Sequence, residues 1–516
     1  MNEVGVEARR RGRRALEWSA ATLGAFAVLG ATPGSPFQPE LAPGGEPRGP
    51  LTALARLLQL DVLGPTTITF VGVAVVVAAG VAFVRLLVEA RRGTISTRAI
   101  LVLVVSAHAV LLLLPLLYSR DVYSYAIYGR IAHVYGDNPY LSTPIGFGAD
   151  PLLELVGPKW VDTPPVYGPA FVSLSAFVAR FADRPVDHVT VYRSVAIVAS
   201  LATVSTIAAT VRRWRPGWVA VAVAAFGLNP VILFHSVASG HNDVLVALSI
   251  VGALALVLRG RELPSIAVLS VGALIKATAV LPLLLLLVWC VARRPPGDRL
   301  RAVAGRVGLT AAIGVAFAWP YWQTADPTLG MLDLAGHTGW LAPSVFITRL
   351  VDVLSFGSLG WAVRVVFGLA LVVGVVAIAR EAWRRARTMP ALELGAAWGW
   401  SLVLLMVLGP VLLPWYVAWS LPLAWLLPRA PRTTLLVTSV ALGVSLWSAE
   451  PERSLAAFEL NLWIGHWVIT PVITLLLLRN LRDLRDTIRD RLPFGDVSGG
   501  WPGASAERQQ QAAAGR

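Results

Sequence analysis

Long apolar stretches dominate the chain, separated by short polar or arginine-rich segments. Thr66–Val88, Ile100–Tyr118, His188–Val211 and Trp361–Ile378 match or exceed the ~18 residues that distinguish a membrane-spanning helix from a buried core helix. These runs are continuous and do not alternate with period two, which argues against a β-barrel. Threading helices through them predicts spans near 16–34, 66–89, 98–118, 188–211, 217–237, 242–258, 264–277, 279–292, 304–322, 360–380, 393–411, 414–427, 433–449 and 461–479. The expected fold class is an all-α polytopic membrane protein of about 12–14 transmembrane helices.

The arginines orient this thread. Arg9–Arg14, Arg85–Arg98, Arg212–Arg215, Arg259–Arg261, Arg293–Arg306, Arg380–Arg387, Arg429–Arg432 and Arg479–Arg491 all fall on one side, as the positive-inside rule requires of cytoplasmic loops. The parity holds only if Leu263–Ala292 is two short helices meeting near Lys276. It also requires Val166–Phe181 to be interfacial or re-entrant rather than a span. Arg9–Arg14 followed by Ala20–Ala31 has the form of a signal peptide, but arginines ahead of the first of many helices equally mark a retained span, the reading preferred here. Residues 1–15 and 481–516 are expected to be polar, disordered cytoplasmic tails, and 16–480 the transmembrane core. Two long loops, 119–187 and 323–359, then face the non-cytoplasmic side. They hold aspartates, tyrosines, tryptophans, histidines, prolines and glycines, whereas the inner loops hold mainly arginine.

Composition narrows the function classes. Of 516 residues, 56% are hydrophobic and 14% charged, against about 25% charged in soluble domains; the mean hydropathy is +0.66. The net charge of +14 lies in short inter-span loops and forms no basic face interleaved with aromatics, so no nucleic-acid partner is expected. The single cysteine, Cys290, excludes an intramolecular disulfide and a thiolate cluster.

The segment Ser119-Arg120-Asp121-Val122-Tyr123-Ser124-Tyr125-Ala126-Ile127-Tyr128-Gly129-Arg130 begins where the third span leaves the membrane. In a helix, Asp121, Tyr125 and Tyr128 share one face. A boundary carboxylate among tyrosines suits a substrate with its head in water and its tail in lipid. The alternative is an interfacial aromatic belt with Asp121 paired to Arg120 or Arg130. Lys276, inside an apolar run, is either functional or a snorkelling helix-end lysine. His241 and Asp243 open a span on the outer side; they suit hydrogen bonding to sugar hydroxyls, or helix capping, better than a metal pair at i, i+4. His337, between glycines, is placed either over a site or as a solvated loop histidine. Trp160, Tyr167, Trp340, Trp415, Tyr416 and Trp419 offer faces for a pyranose ring. No DxD pair is present among the loop carboxylates, so a divalent metal is unsupported, and no cofactor is expected.

Arg120-Asp121-Val122-Tyr123-Ser124-Tyr125, followed by Gly136-Asp137-Asn138-Pro139-Tyr140, resembles the actinobacterial polyprenol-phosphomannose-dependent α-1,6-mannosyltransferases of the GT-C class of membrane glycosyltransferases. Gly240-His241-Asn242-Asp243 and Leu413-Pro414-Trp415-Tyr416-Val417-Ala418-Trp419 extend the likeness across roughly residues 60–480. The resemblance implies a GT-C-like bundle with a large first external loop, in the cytoplasmic membrane, with its active site on the non-cytoplasmic face. It implies transfer of mannose from a polyprenyl-phosphate donor to a mannan or lipoglycan acceptor, with Asp121 as general base. An inverting transfer from a β-linked mannosyl phosphate yields an α-mannoside. Substrate contacts are expected from Tyr123, Tyr125, Arg130, Tyr140, Tyr167, His241, Asp243, Lys276, His337, Arg349, Trp415 and Tyr416. Among these, Lys276, Arg349 and Arg130 are the candidate cations for the leaving phosphate. Rivals are a GT-C enzyme for another polyprenyl-phosphate sugar, or a glycolipid transporter. No C-terminal carbohydrate-binding domain is visible, which tilts away from arabinosyl-transferring relatives.

Overall fold

A computed structural model describes residues 3–39, 41, 49–62, 64–323, 329–331, 341–445, 459, 463–476 and 478–479. The α-helices used below are α1 (Glu3–Ala31), α2 (Thr52–Leu57), α3 (Pro65–Arg91), α4 (Thr97–Leu112), α5 (Asp121–His133), α6 (Pro169–Val178), α7 (Pro185–Trp214), α8 (Val219–Gly227), α9 (Asp243–Val257), α10 (Glu262–Ile275), α11 (Val280–Ala292), α12 (Arg299–Ala318), α13 (Pro343–Leu354), α14 (Gly360–Arg385), α15 (Ala391–Leu408) and α16 (Arg429–Gly443). No strand occurs among the described residues. The chain is an all-α multi-pass membrane protein.

Five described helical segments are long and apolar enough to cross a bilayer unaided, or six if the pair bent by 41° at Pro216–Gly227 and Val231–Val237 counts as one span. Most of the other predicted spans are shorter or broken. Proline explains several of the breaks, because it supplies no N–H and clashes with the preceding turn. Pro115 follows α4 by three residues, and the chain from there to Asp121 is not helical. Pro230 separates α8 from a π-helical turn, Val231–Val237. The predicted span 414–427 is a correction: it forms two 3₁₀ segments, Pro414–Trp419 and Leu421–Leu426, each too short to span. At Lys276 the backbone becomes extended (φ −153°, ψ 130°) and separates α10 from a 3₁₀ turn and α11. The stretch Val166–Phe181 contains only the ten-residue α6, about 15 Å at 1.5 Å per residue.

Helix α7 lies at the centre of the first half, packed against α4, α5, α8 and α9, while α9 packs on α10 and on the 3₁₀ segment 414–419. Helix α1 runs along α3 and α4. A buried polar bond ties α4 to α7, with the His108 Nε2 2.8 Å from the Ser200 hydroxyl. At the periphery, α14 exposes Val366, Leu369, Val372, Val373 and Val376, an outward apolar face suited to lipid.

Glycines allow the short helices to approach the site closely. A Cβ at Gly129 of α5 would collide with the Ser175 carbonyl of α6, and one at Gly168 with the Leu274 carbonyl beside Lys276. The Gly168 N–H donates to the Ile275 carbonyl at 3.1 Å. Gly129→Ala is expected to force α5 and α6 apart and destabilise the protein by about 1–3 kcal/mol, the usual cost of overpacking. Thermal unfolding of the purified protein checks this; an unchanged midpoint would contradict the contact.

Candidate active site

Four interruptions in the helical bundle meet at one place: the start of α5, the Gly240–Asp243 turn before α9, the break at Lys276, and the 3₁₀ segment Pro414–Trp419. Asp121 occupies the first turn of α5, where the helix dipole favours a carboxylate. Its backbone N–H donates to the Ser119 hydroxyl at 3.1 Å. Its side chain is 19% exposed, which makes it the accessible carboxylate of the site. Oδ2 lies 3.4 Å from His241 Nδ1, and the Tyr167 hydroxyl donates to the same oxygen at 3.5 Å. Both are long contacts, at the outer limit of a hydrogen bond. Burial pushes the Asp121 carboxyl above the ordinary aspartate range, opposed by the Ser119 hydroxyl beside the carboxyl and by the Lys276 charge, and assisted by Asp243.

His241 is aimed by its neighbours. Gly240 adopts φ +68° and packs close to the α7 backbone at Tyr192 and Arg193, a left-handed conformation that favours glycine. The imidazole stacks on Trp415, with centroids 3.9 Å apart and planes 18° apart. The Tyr125 hydroxyl reaches Nδ1 at 3.3 Å, so Asp121 and Tyr125 meet the same nitrogen. Tyr125 is held edge-on by Tyr167 and Phe171.

Asp243 is fully buried, and its Oδ1 accepts from Lys276 Nζ at 2.8 Å and Trp419 Nε1 at 2.7 Å. Lys276 sits 4.5 Å from the Tyr416 ring centroid and 5.3 Å from that of Trp419, and those rings stack on each other at 4.2 Å. His241 Nε2, Asp243 Oδ2 and both polar atoms of the Asn242 amide are buried and unmatched within the protein. Buried polar groups normally have partners, so this concentration suits a hydroxyl-rich ligand.

The structure therefore brings together Asp121, Tyr125, Tyr167, His241, Asp243, Lys276, Trp415 and Tyr416. Tyr140 supports this group from behind, its hydroxyl donating to the Tyr167 carbonyl at 2.8 Å. Three expectations change. Arg130 does not pair with Asp121: it lies nine residues further along α5, about 14 Å away at 1.5 Å per residue, and binds Asp150 at 2.7 Å. Tyr135 donates to the same Asp150 oxygen at 2.8 Å, so Arg130 braces the loop. Tyr123 is buried with Arg193 and Arg120 as its charged neighbours. Arg349 is exposed on α13, which packs on α14 and α15. His337 lies outside the described residues.

One residue at the site escaped the sequence analysis. Arg193, buried in α7, donates from Nε and Nη2 to the Ala238 carbonyl at 3.0 and 2.7 Å, from Nη2 to the Pro115 carbonyl at 2.7 Å, and from Nη1 to the Leu114 carbonyl. Leu114 and Pro115 begin the segment leading to Asp121, and Ala238 begins the turn leading to His241. A single guanidinium thus joins the two strands of backbone that deliver the Asp121–His241 contact.

Together, fold and site define a multi-pass membrane protein whose ionisable and aromatic groups converge at one place in a helical bundle. Residues 22–293 match the family described as alpha-(1->6)-mannopyranosyltransferase, N-terminal domain, and the chain belongs to that family of glycosyltransferases. It is 29% identical over 386 residues to alpha-(1->6)-mannopyranosyltransferase A of Mycobacterium tuberculosis, covering 70% of this chain and 72% of that one. It is 28% identical over 397 residues to a probable alpha-(1->6)-mannopyranosyltransferase of Mycolicibacterium smegmatis, covering 66% and 68%. No solved structure gives a significant match.

Arg193→Met is expected to strand the Leu114, Pro115 and Ala238 carbonyls at about 1–3 kcal/mol each. A lowered unfolding temperature, with Arg193→Lys intermediate, is the predicted measurement. Equal stability of all three proteins would contradict the clamp.

Proposed function

We propose that the chain transfers mannose with inversion from a polyprenyl-phosphate mannose donor to a mannan or lipoglycan acceptor, forming an α-1,6 linkage, with Asp121 as general base. The reaction takes place on the non-cytoplasmic face of the cytoplasmic membrane. The observation that carries this reading is the partly exposed Asp121 carboxylate, held by His241 and Tyr167 beside a buried, neutralised Lys276–Asp243 pair.

In the proposed step the acceptor hydroxyl oxygen attacks the anomeric carbon from the face opposite the phosphate. Its proton passes to Asp121 Oδ2 while the bond from anomeric carbon to phosphate oxygen breaks, and polyprenyl phosphate departs with the electron pair. Asp121 is suited to the base role because its pKa is raised towards the working pH, which strengthens it as a proton acceptor. His241 and Tyr167 orient the carboxylate. Lys276 commits one N–H to Asp243 and has further donors for the negative charge that grows on the leaving phosphate. Trp415, Tyr416 and Trp419 provide the aromatic wall for sugar rings. Mannose and the linkage follow the family and the names of its relatives; a transfer of another polyprenyl-phosphate sugar uses the same base chemistry. A transporter would place its ionisable groups along a path near the bilayer midplane, whereas Asp121, His241, Asp243 and Lys276 form one cluster.

Membranes expressing the protein are expected to transfer radiolabelled mannose from polyprenyl-phosphate mannose to a short α-mannoside. At equal expression, Asp121→Asn should lower the rate about 10²–10⁴-fold, the span ascribed to general base catalysis. Full activity in Asp121→Asn would remove Asp121 from the mechanism. The pH profile gives a separate check. The base works ionised, so the rate should fall as pH drops through its pKa, with a midpoint above the ordinary aspartate value of about 3.9. A midpoint at or below that value would contradict Asp121 as the base.

A further inference from the structure

The opposite end of the bundle carries a second concentration of charge that the transfer reaction does not use. Helix α7 has 30 residues, about 45 Å at 1.5 Å per residue, more than the ~30 Å of bilayer hydrocarbon. Arg193 lies in its third turn beside the site, and Trp214 ends it. Just beyond, Trp218 is surrounded by guanidinium groups: Arg91 at 4.0 Å from the ring centroid, Arg432 at 4.6 Å and Arg215 at 4.8 Å. They come from the last turn of α3, the first turn of α16 and the C-terminal cap of α7. Arg432 is partly buried, and its charged neighbours are Arg215, Arg91 and Arg429, all of one sign.

Two other arginine pairs converge on a carboxylate instead. Arg294 and Arg306 share Glu262, and Arg384 and Arg385 share Glu381. Among the described residues, Arg91, Arg429 and Arg432 have no carboxylate in reach. Arg429 and Arg432 also open α16, whose first turn has no acidic residue and whose dipole disfavours cations there. Arg91 and Arg432, brought to one indole with no carboxylate between them among the described residues, raise the energy of the folded state unless an anion joins them. Arginine forks match phosphate oxygens in geometry, and tryptophan is enriched at the headgroup level of membranes.

We propose that Arg91, Arg215 and Arg432 around Trp218, with Arg429 beside Arg432, form a binding site for an anionic phosphate group, supplied by a phospholipid headgroup of the leaflet opposite the active site. The site is independent of the proposed sugar transfer. The test uses the full-length chain in detergent, with thermal unfolding followed on addition of phosphatidylglycerol, phosphatidylcholine or inorganic phosphate. Phosphatidylglycerol should raise the midpoint by several degrees over phosphatidylcholine. The rise should fall by at least half in Arg432→Gln and in Arg91→Gln, and persist in Arg384→Gln. Arg91 is exposed, so its variant keeps the test open if Arg432→Gln fails to fold. A rise with phosphatidylglycerol but not with millimolar phosphate identifies the lipid headgroup; an equal rise with both identifies a general phosphate site and overturns the lipid assignment. No rise specific to phosphatidylglycerol, or a rise undiminished in both arginine variants, overturns the proposal.

Discussion

The ion pair between Lys276 and Asp243 is the interaction around which the site is arranged. An isolated carboxylate in an apolar interior is costly, and its desolvation is offset only by good geometry and further hydrogen bonds. Asp243 obtains both, from Lys276 at 2.8 Å and from the Trp419 indole at 2.7 Å. These two contacts draw three separate pieces of chain together: the start of α9, the break between α10 and α11, and the 3₁₀ segment 414–419. With Asp243 neutralised, Asp121 is the carboxylate left with partial access and loose partners. The two aspartates thus occupy different environments, the condition that separates a structural acid from a reactive one.

Broken helices make this convergence possible. Non-helical backbone at membrane depth is tolerated only where protein or a polar cavity satisfies its groups. Here α4 stops ahead of Pro115, and the carbonyls freed there are taken by Arg193. The same guanidinium holds Ala238, where the π-helical turn gives way to the Gly240 bend. Gly168 serves the break at Lys276 by donating to Ile275. Three of the interruptions are thus held by Arg193 of α7 and by the N-cap of α6. Asp121 and His241, 120 residues apart in the chain, are placed by packing rather than by local conformation.

Much of this was legible in the chain. Hydrophobic runs identified the helical membrane class, and polar residues interrupting them pointed to Asp121, His241, Asp243 and Lys276. Arginine parity placed a break at Lys276 and kept Val166–Phe181 from being counted as a span. What pattern reading missed depends on three-dimensional pairing. Arg130 is close to Asp121 in sequence, yet it pairs with Asp150 across the loop. Arg193 carried a readable signal, an arginine within an otherwise apolar run, and was passed over because the surrounding hydropathy was high enough to hide it. Pro414 and Pro422 each stand at the start of a 3₁₀ segment within 414–426, and the run of large apolar residues around them hides the break from a hydropathy pattern.

The central claim is that Asp121 is the group that takes the acceptor proton. It is tested most directly by an experimental structure of the protein with an unreactive phosphonate analogue of polyprenyl-phosphate mannose and a short α-mannoside. The account predicts the acceptor 6-hydroxyl within hydrogen-bond distance of Asp121 Oδ2, with the phosphonate on the far side of the anomeric carbon. A complex with that hydroxyl against a different carboxylate, or with the sugar remote from Asp121, would contradict it.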